Sequence, residues 1–228
     1  MKKLAVFDVD GTIFRSSLLI EMVEELVRRD IFPAKSLLQY AKERTRWIDR
    51  KGSYEDYIEA VVRVFMDNIK GVHISEFEGV ADTVFNAQKD RVYKFTRDLL
   101  KKLKKQNYFL LAVSQSPKTI LDKFCKRLGF HKVYGRFYEI GSTDRFTGTV
   151  VDLHLIGNKA NIIKRVVEKE KVTLKGSVGV GDTEGDISFL ELVEKPIAFN
   201  PNGTLFRHAK LEGWSIVVER KDVIYTIQ

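Results

Sequence analysis

Apolar residues follow two alternating patterns along this chain. Four short runs of β-favouring apolar residues stop abruptly at a polar residue, and they are Leu4 to Val9, Tyr108 to Val113, Ser177 to Val180 and Pro196 to Phe199. Between them lie stretches in which apolar residues recur every three to four positions. Because the first pattern indicates buried strands and the second indicates helices, the alternation predicts an α/β protein with a parallel sheet.

The polar residues at the predicted strand ends are the first candidates for function. Asp8 and Asp10 follow the first run, Ser114 follows the second and Asp182 the third. Ligands of parallel α/β sheets bind beyond the carboxyl ends of the strands, which lie at one edge. We therefore expect these side chains to converge although they are far apart in the sequence.

A long insertion separates the first two predicted strands. Asp8 and Ser114 are 106 residues apart, whereas a strand-helix-strand unit needs roughly 30 residues. The surplus contains four helical patterns, which are Leu18 to Arg29, Lys35 to Trp47, Tyr54 to Asn68 and Ile74 to Asn86. We predict a small helical domain, here called the cap, at residues 15–88, inserted into an α/β core formed by residues 1–14 and 89–228.

A small β-hairpin is predicted after the second strand. Phe137 to Ser142 and Phe146 to Val151 contain β-favouring residues, and Thr143-Asp144-Arg145 between them can form the turn. Too few residues lie between Ser114 and Lys159 for a second cap, so we expect only the hairpin in this interval.

The acidic pair Asp8 and Asp10 is the strongest single signal for chemistry. The two residues are two positions apart, so both carboxylates point to the same side if the strand continues. At about 4 Å and an effective dielectric near 20, such charges repel by about 4 kcal/mol. The pair therefore requires a cation, a proton or a covalent role. Taken alone, however, Asp8-Val9-Asp10-Gly11 is better explained as a solvated turn.

Other polar residues at strand ends and helix starts favour a functional site over a solvated turn. Ser114 follows a strand, Lys159 begins a helical pattern, and Gly181-Asp182-Thr183-Glu184-Gly185-Asp186 follows another strand. Each is ordinary by itself, as a serine cap, a solvated cation or a helix entry. Their common placement, in this order along the chain, favours one shared site.

With this set of motifs the chain resembles the haloacid dehalogenase superfamily of aspartate-nucleophile phosphatases, and the cap position is similar to that of its phosphoserine-phosphatase-like branch. The motifs that carry the resemblance are Asp8-Val9-Asp10-Gly11-Thr12, Ser114, Lys159, and Gly181-Asp182 with Asp186. The resemblance extends over nearly the whole chain. It implies a Rossmann-like parallel core with an inserted helical cap.

The resemblance also implies a role for each motif residue. Asp8 is expected to attack phosphorus and form an aspartyl-phosphate, while Asp10 protonates the leaving alcohol and later deprotonates water. Mg²⁺ is expected on the carboxylates of Asp8 and Asp182 and the backbone carbonyl of Asp10. Asp186 completes the predicted metal site by orienting the groups around the ion. Lys159 is expected to neutralise the nucleophile and the phosphoryl oxygens.

Substrate contacts are predicted at Thr12, Ser17, Ser114 and Gln115. The Ser114 hydroxyl and nearby backbone N–H groups are expected to hold the phosphate as charge develops. Family members that act on phosphoserine have a glutamate at the position of Ser17 and serine-glycine-glycine at Ser114-Gln115-Ser116, and both features differ here. A leaving group other than that of phosphoserine is therefore expected. The cap aromatics Trp47, Tyr54 and Phe65 fit either the cap core or the wall of a substrate cleft.

Composition narrows the class of protein further. The single cysteine cannot form an internal disulfide. The start of the chain loses its likeness to a signal peptide at Asp8, and no apolar run reaches the roughly 18 residues that cross a membrane. We therefore expect a cytoplasmic protein that does not span a membrane. The formal net charge of +8 favours anionic partners without choosing among them.

These observations support three functional hypotheses. The first is a Mg²⁺-dependent phosphatase for a small phosphorylated metabolite, with the cap excluding water; nucleic acid is not an expected partner, and the oligomeric state is left open. The second, suggested by the positive charge, is a phosphatase for phosphoproteins or nucleic-acid ends. The third is a phosphate-binding or regulatory module without turnover. The intact pair of Asp8 and Asp10 argues against the third, since losing either residue is the simplest route to it.

Overall fold

An eight-stranded sheet crosses the computed structural model, which describes residues 1–151 and 157–227. Its strands are β1 (Lys3–Phe7), β2 (Phe109–Pro117), β3 (Lys132–Ile140), β4 (Phe146–Val151), β5 (Thr173–Gly181), β6 (Lys195–Phe199), β7 (Ser215–Arg220) and β8 (Val223–Ile227). They lie in the order β4-β3-β2-β1-β5-β6-β7-β8. The six inner strands, from β3 across to β7, pair in parallel. The two edge strands, β4 and β8, pair antiparallel with their neighbours. The predicted parallel α/β core is confirmed.

Helices cover both faces of the sheet. They are α1 (Leu18–Arg28), α2 (Ala41–Ile48), α3 (Tyr54–Ile69), α4 (Ile74–Gln88), α5 (Lys94–Lys105), α6 (Lys118–Leu128), α7 (Lys159–Glu170), α8 (Ile187–Leu190) and α9 (Gly203–Leu211), with 3-10 helices at Ala34–Gln39 and Glu184–Asp186. One apolar cluster joins the sheet to α1, α3, α4, α5 and α6. A second cluster joins the opposite face to α7, α8 and α9.

Strand β1 lies at the centre of the sheet and places the acidic pair. Its residues Leu4 to Phe7 are fully buried. Side chains alternate between the two faces of a strand, and accordingly Ala5 and Phe7 pack in the cluster that contains the cap, whereas Leu4 and Val6 pack in the cluster that contains α7. Because β1 is held on both faces, the residues that follow it are fixed at the carboxyl edge of the sheet.

The helices α1 to α4 form the predicted cap between β1 and β2. The prediction of one helix from Lys35 to Trp47 was wrong, because this stretch forms the 3-10 helix and α2 with a break at Tyr40, where φ is −117° and ψ is 4°. The Tyr40 side chain is buried, with its ring centroid 5.9 Å from that of Tyr57 on α3. This contact with α3 explains the break. The cap boundaries at 15–88 stay a prediction.

The predicted hairpin is formed by β3 and β4. Strand β3 is longer than expected, because residues from Lys132 onward also pair in parallel with β2. The hairpin is bonded to the segment between α3 and α4. Gly71 N donates to Phe146 O at 2.8 Å, Phe146 N donates to Val72 O at 3.0 Å, and Ile74 N donates to Asp144 O at 2.8 Å. The cap therefore has backbone contacts with the hairpin as well as its two chain connections.

Two strand ends differ from the sequence predictions. Strand β2 continues past Ser114 to Pro117, although its register with β3 is irregular after Val113. Strand β5 begins at Thr173, four residues before the predicted start at Ser177, and its register with β1 shifts at the start. The added residues include polar ones, namely Ser114, Gln115 and Ser116 in β2 and Thr173 and Lys175 in β5, which an apolar pattern cannot reveal. In the described ranges, no helix is long and apolar enough to cross a membrane.

Candidate active site

The first element of the site is a buried lysine between two carboxylates. Asp8 follows β1, and its backbone N–H donates to Val180 O of β5 at 2.9 Å. Lys159 is the first residue of α7, directly after Asn158, whose side chain caps the helix. The Lys159 ammonium donates to Asp8 Oδ1 at 2.7 Å and to Asp186 Oδ1 at 2.5 Å. Residues 151 positions apart are thus joined in one contact between a strand end and a helix start.

Asp186 holds the turn after β5. Its Oδ2 atom accepts the backbone N–H groups of Asp182 at 2.9 Å and Thr183 at 3.1 Å, while Oδ1 accepts Lys159. Both carboxylate oxygens of this fully buried residue already have donors. Asp186 therefore holds the Asp182 backbone and the Lys159 side chain in place, and its role in orienting a metal site stays a prediction.

Asp8 and Asp182 present oxygens that could bind a metal ion. Ligand atoms of Asp8, Asp182 and Asp186 lie within 4.8 Å of one another. Asp182 Oδ1 accepts the Thr12 hydroxyl at 3.0 Å, and Lys159 occupies Asp8 Oδ1. Within the described ranges the Oδ2 atoms of Asp8 and Asp182 have no hydrogen-bond donor. Such an all-oxygen donor set fits a hard cation such as Mg²⁺.

The close approach of the two acidic segments depends on Gly11. This residue has φ of +78°, and a Cβ atom added to it would lie 2.0 Å from Asp182 Oδ2. Any larger side chain would therefore push Asp182 away from the loop that carries Asp8 and Asp10. This contact is the local reason for a glycine directly after the acidic pair.

The Asp10 carboxylate accepts hydrogen bonds from residues outside the cluster of Asp8, Asp182 and Asp186. Oδ1 accepts the Leu18 backbone N–H and Oδ2 accepts the Ser114 hydroxyl, both at 2.6 Å. The Ser114 oxygen in turn accepts the Ser116 backbone N–H at 2.9 Å. These bonds tie the acidic loop to the start of the cap and to β2. The predicted contribution of Asp10 to a metal through its backbone carbonyl stays a prediction.

Burial has the largest effect on the pKa values of the acidic residues in the site. It raises the pKa of Asp8, Asp10 and Asp182, and for Asp8 and Asp182 the neighbouring carboxylates raise it further, while Lys159 opposes the rise. Burial disfavours the Lys159 ammonium, but the carboxylates of Asp186 and Asp8 outweigh burial and raise its pKa above the usual range. The raised pKa values show that the ionised forms of these carboxyls are disfavoured here, so a bound cation would favour their charged state.

A cavity of about 500 Å³ opens above this cluster, between the core and α3 of the cap. Six predicted site residues line it: Asp8, Asp10, Ser17, Gln115, Lys159 and Asp182. Thr12, Ser114 and Asp186 are buried behind them and do not line it. The hydroxyls of Thr12 and Ser114 donate to Asp182 and Asp10, so in this structure they contact the acidic residues. Their predicted substrate contacts stay predictions.

Apart from Tyr54, the cavity residues of helix α3 were not singled out from the sequence. Helix α3 contributes two rows with a spacing of four residues, and these are Tyr54, Ile58 and Val62, and Glu55, Glu59 and Arg63. The spacing of a helix face could have indicated them. Arg136 of β3 and Glu184 also line the cavity. Among the cap aromatics, Tyr54 lines the cavity, Phe65 is in the core, and Trp47 packs on Tyr54.

Comparison with known proteins gives the family. Residues 5–191 match the haloacid dehalogenase-like hydrolase family, and the chain belongs to it. A phosphoserine phosphatase, SerB1 of Mycobacterium tuberculosis, is 25% identical over 217 residues, which cover 93% of this chain and 69% of the relative. A histidinol-phosphatase of Neisseria meningitidis is 22% identical over 226 residues, covering 95% of this chain and 99% of the relative.

Solved structures share the fold. A phosphoserine phosphatase determined as an analogue of its phospho-aspartyl intermediate superimposes with a TM-score of 0.64 at 23% identity, covering 97% of this chain and 95% of that one. The predicted family, its inserted cap and the phosphatase class of enzyme are confirmed. The roles of individual residues and the cytoplasmic location stay predictions.

Proposed function

We propose that the protein is a Mg²⁺-dependent phosphatase that hydrolyses a small phosphate monoester through an aspartyl-phosphate at Asp8. One observation supports this most strongly. Asp8 lines the cavity with Oδ1 bonded to Lys159, while Oδ2 lacks a donor among the described residues and lies in the acidic cluster with Asp182. A carboxylate held in this way is positioned to act as a nucleophile.

The reaction has two displacements at phosphorus. An Asp8 oxygen attacks, the bond from phosphorus to the ester oxygen breaks, and the leaving alcohol takes a proton from Asp10. Water then attacks the aspartyl-phosphate, the bond from phosphorus to Asp8 breaks, and Asp10 accepts the proton from water as inorganic phosphate leaves. Lys159, in contact with Asp8, stabilises negative charge on the phosphoryl oxygens.

The metal would be held by the carboxylates of Asp8 and Asp182 and the backbone carbonyl of Asp10. When bound, a divalent ion supplies positive charge that neutralises phosphoryl oxygens during transfer. Asp186 accepts three hydrogen bonds, from Lys159 and from the backbone N–H groups of Asp182 and Thr183, and would thereby orient the residues beside the metal.

The cavity supports a small substrate. Its volume of about 500 Å³ is within the range of small-molecule sites, and α3 of the cap lies on its wall. Two relatives are named for small esters, phosphoserine and histidinol phosphate. A phosphoprotein or a nucleic-acid end would have to pass the cap helix to reach Asp8, so we favour a metabolite.

Metal removal tests the proposal directly. Purified protein should hydrolyse para-nitrophenyl phosphate with added Mg²⁺, lose that turnover when treated with EDTA, and regain it when Mg²⁺ is restored. The reason is that the carboxylates around Asp8 would otherwise repel the phosphate dianion. Steady-state release of nitrophenolate measures the effect. Turnover that persists after EDTA treatment and dialysis, or none on any phosphate ester with Mg²⁺ present, would contradict the proposal.

Replacing Gly11 with alanine should raise the Mg²⁺ concentration needed for half-maximal activity by about tenfold, because the new Cβ displaces Asp182. The matched control is Gly71→Ala. Gly71 has φ of +84°, similar to +78° at Gly11, but an added Cβ meets nothing within 4 Å. Both variants should lose about 1 kcal/mol of unfolding free energy from the left-handed backbone, measured in urea. An unchanged Mg²⁺ requirement in Gly11→Ala would show that the contact is unimportant.

A further inference from the structure

Arg136 lines the cavity, and its guanidinium has no acidic partner among the residues that the structure describes. Arg136 pairs with Pro117 across β3 and β2, and its Nη2 atom donates to Gln115 Oε1 at 2.5 Å. In residues 1–151 and 157–227, no carboxylate oxygen lies within 4.0 Å of its nitrogens. Its Nε atom is buried and has no acceptor there. The Tyr138 hydroxyl is a second neutral group beside the guanidinium. Because Gln115 and Tyr138 carry no charge, the positive charge of Arg136 is not compensated by these described neighbours.

The other cations of the cavity are paired. Lys159 contacts Asp8 and Asp186, and Arg63 Nη1 lies 3.8 Å from Glu59 Oε2. Lys159 is thus committed to the cluster where the phosphoryl group would bind. Arg136 lines the same cavity but is more than 4.0 Å from the Asp8, Asp10 and Asp182 carboxylates. It is therefore placed to meet a different part of the substrate.

The chemistry of the side chain specifies its ligand. A guanidinium has five donors and no acceptor, and its planar fork matches the two oxygens of a carboxylate or phosphate. Glu55, Glu59 and Glu184 line the same cavity and disfavour a second, more highly charged phosphate there. A singly charged carboxylate satisfies the guanidinium with the smaller repulsion.

We infer that Arg136 binds a carboxylate on the leaving group, and that the enzyme selects phosphate monoesters of simple hydroxy acids. This assignment rests on the proposed phosphatase function and adds a specificity residue to it. Gln115 keeps the guanidinium in place through its amide oxygen. An amino group on the substrate is not required, since Ser17 at the start of α1 carries no charge.

The three glutamates that line the cavity favour the opposite selectivity, because their negative charge attracts a cationic leaving group. All three are exposed, however, and exposed charges are screened by water. Arg136 is only partly exposed, with a buried donor. Its hydrogen bonds to a bound oxyanion are thus less screened, so Arg136 should dominate the selection.

Three two-carbon phosphate esters that differ only in their end group test the inference. They are 2-phosphoglycolate with a carboxylate, 2-hydroxyethyl phosphate with a hydroxyl, and phosphoethanolamine with an ammonium. The wild-type kcat/KM should be about tenfold higher for 2-phosphoglycolate than for the hydroxyl ester, as expected for one charged hydrogen-bonded contact. Arg136→Gln should bring this ratio close to one, mainly through KM, and Arg136→Lys should keep part of it.

Arg165→Gln is the matched control, since it removes the same charge from the exposed face of α7 and should keep the wild-type ratio. Thermal unfolding checks that each variant is folded. A ratio unaffected by Arg136→Gln, or a wild-type preference for phosphoethanolamine, overturns the inference. Mg²⁺-dependent hydrolysis of para-nitrophenyl phosphate by the same protein then leaves the proposed function standing. If the wild type hydrolyses no phosphate ester, both fail together.

Discussion

Asp8→Asn should lower phosphatase turnover by at least about a thousandfold, because the amide cannot form the covalent intermediate. The substitution keeps the shape of a side chain that is 8% exposed, so the protein should still fold. Turnover is measured with para-nitrophenyl phosphate and Mg²⁺. Mass spectrometry of rapidly quenched wild-type protein should show a phosphoryl adduct on the peptide that contains Asp8, and this adduct should be absent from the variant.

The matched control for this substitution is Asp122→Asn on α6. Asp122 is exposed and pairs with Lys118 through one helical turn, outside the cavity. Its variant should retain turnover within about twofold of wild type, since exposed pairs contribute little. If Asp8→Asn keeps more than about a tenth of the activity, Asp8 is not the nucleophile and the mechanism is wrong.

Lys159→Met should have the largest effect on stability. The Lys159 side chain is 7% exposed, and its removal leaves Asp8 and Asp186 buried without their cation. Breaking a buried pair by removing one partner costs about 3–5 kcal/mol, so the free energy of unfolding in urea should fall by that amount. Turnover should also fall by about a hundredfold or more, because charge on the phosphoryl oxygens loses a partner.

Lys123→Met is the control that separates the effect of burial from the effect of pairing with a carboxylate. Lys123 contacts Asp82 at 2.6 Å, close to the 2.7 Å between Lys159 and Asp8, but its partner is exposed. This variant should lose less than about 1 kcal/mol. Similar losses in Lys123→Met and Lys159→Met would show that the buried pair is not special. Added Mg²⁺ should recover part of the stability of Lys159→Met, since it supplies positive charge beside Asp8.

The regular parts of the fold could be predicted because burial determines them. The helical patterns predicted α3 and α4 to within two residues at each end, since their apolar faces pack on neighbouring helices and on the hairpin. The break at Tyr40 depends on a contact with Tyr57, which no local pattern contains. Strands β7 and β8 were not predicted, although both contain β-favouring residues; Ile216 and Val217 of β7 are buried, while all of β8 is exposed.

The candidate site was predictable only in part, for a related reason. Asp8, Asp182 and Lys159 converge because strand ends and helix starts of an α/β core meet at one edge. The hydroxyls of Thr12 and Ser114 donate to carboxylates, an orientation that depends on side-chain contacts across the fold. Arg136 reaches the cavity through the pairing of β2 with β3, where it lies opposite Pro117. A single arginine in a hairpin carries no sequence signal of that kind.

The backbone bonds between the hairpin and the cap have a mechanical consequence. Strand β4 is bonded to the segment between α3 and α4, and β4 pairs with β3, the strand that carries Arg136. Any displacement of the cap must either break the bonds at Gly71, Val72 and Ile74 or pull the hairpin with it. A movement of the cap that opens the cavity would therefore also shift the Arg136 guanidinium, unless these bonds break first.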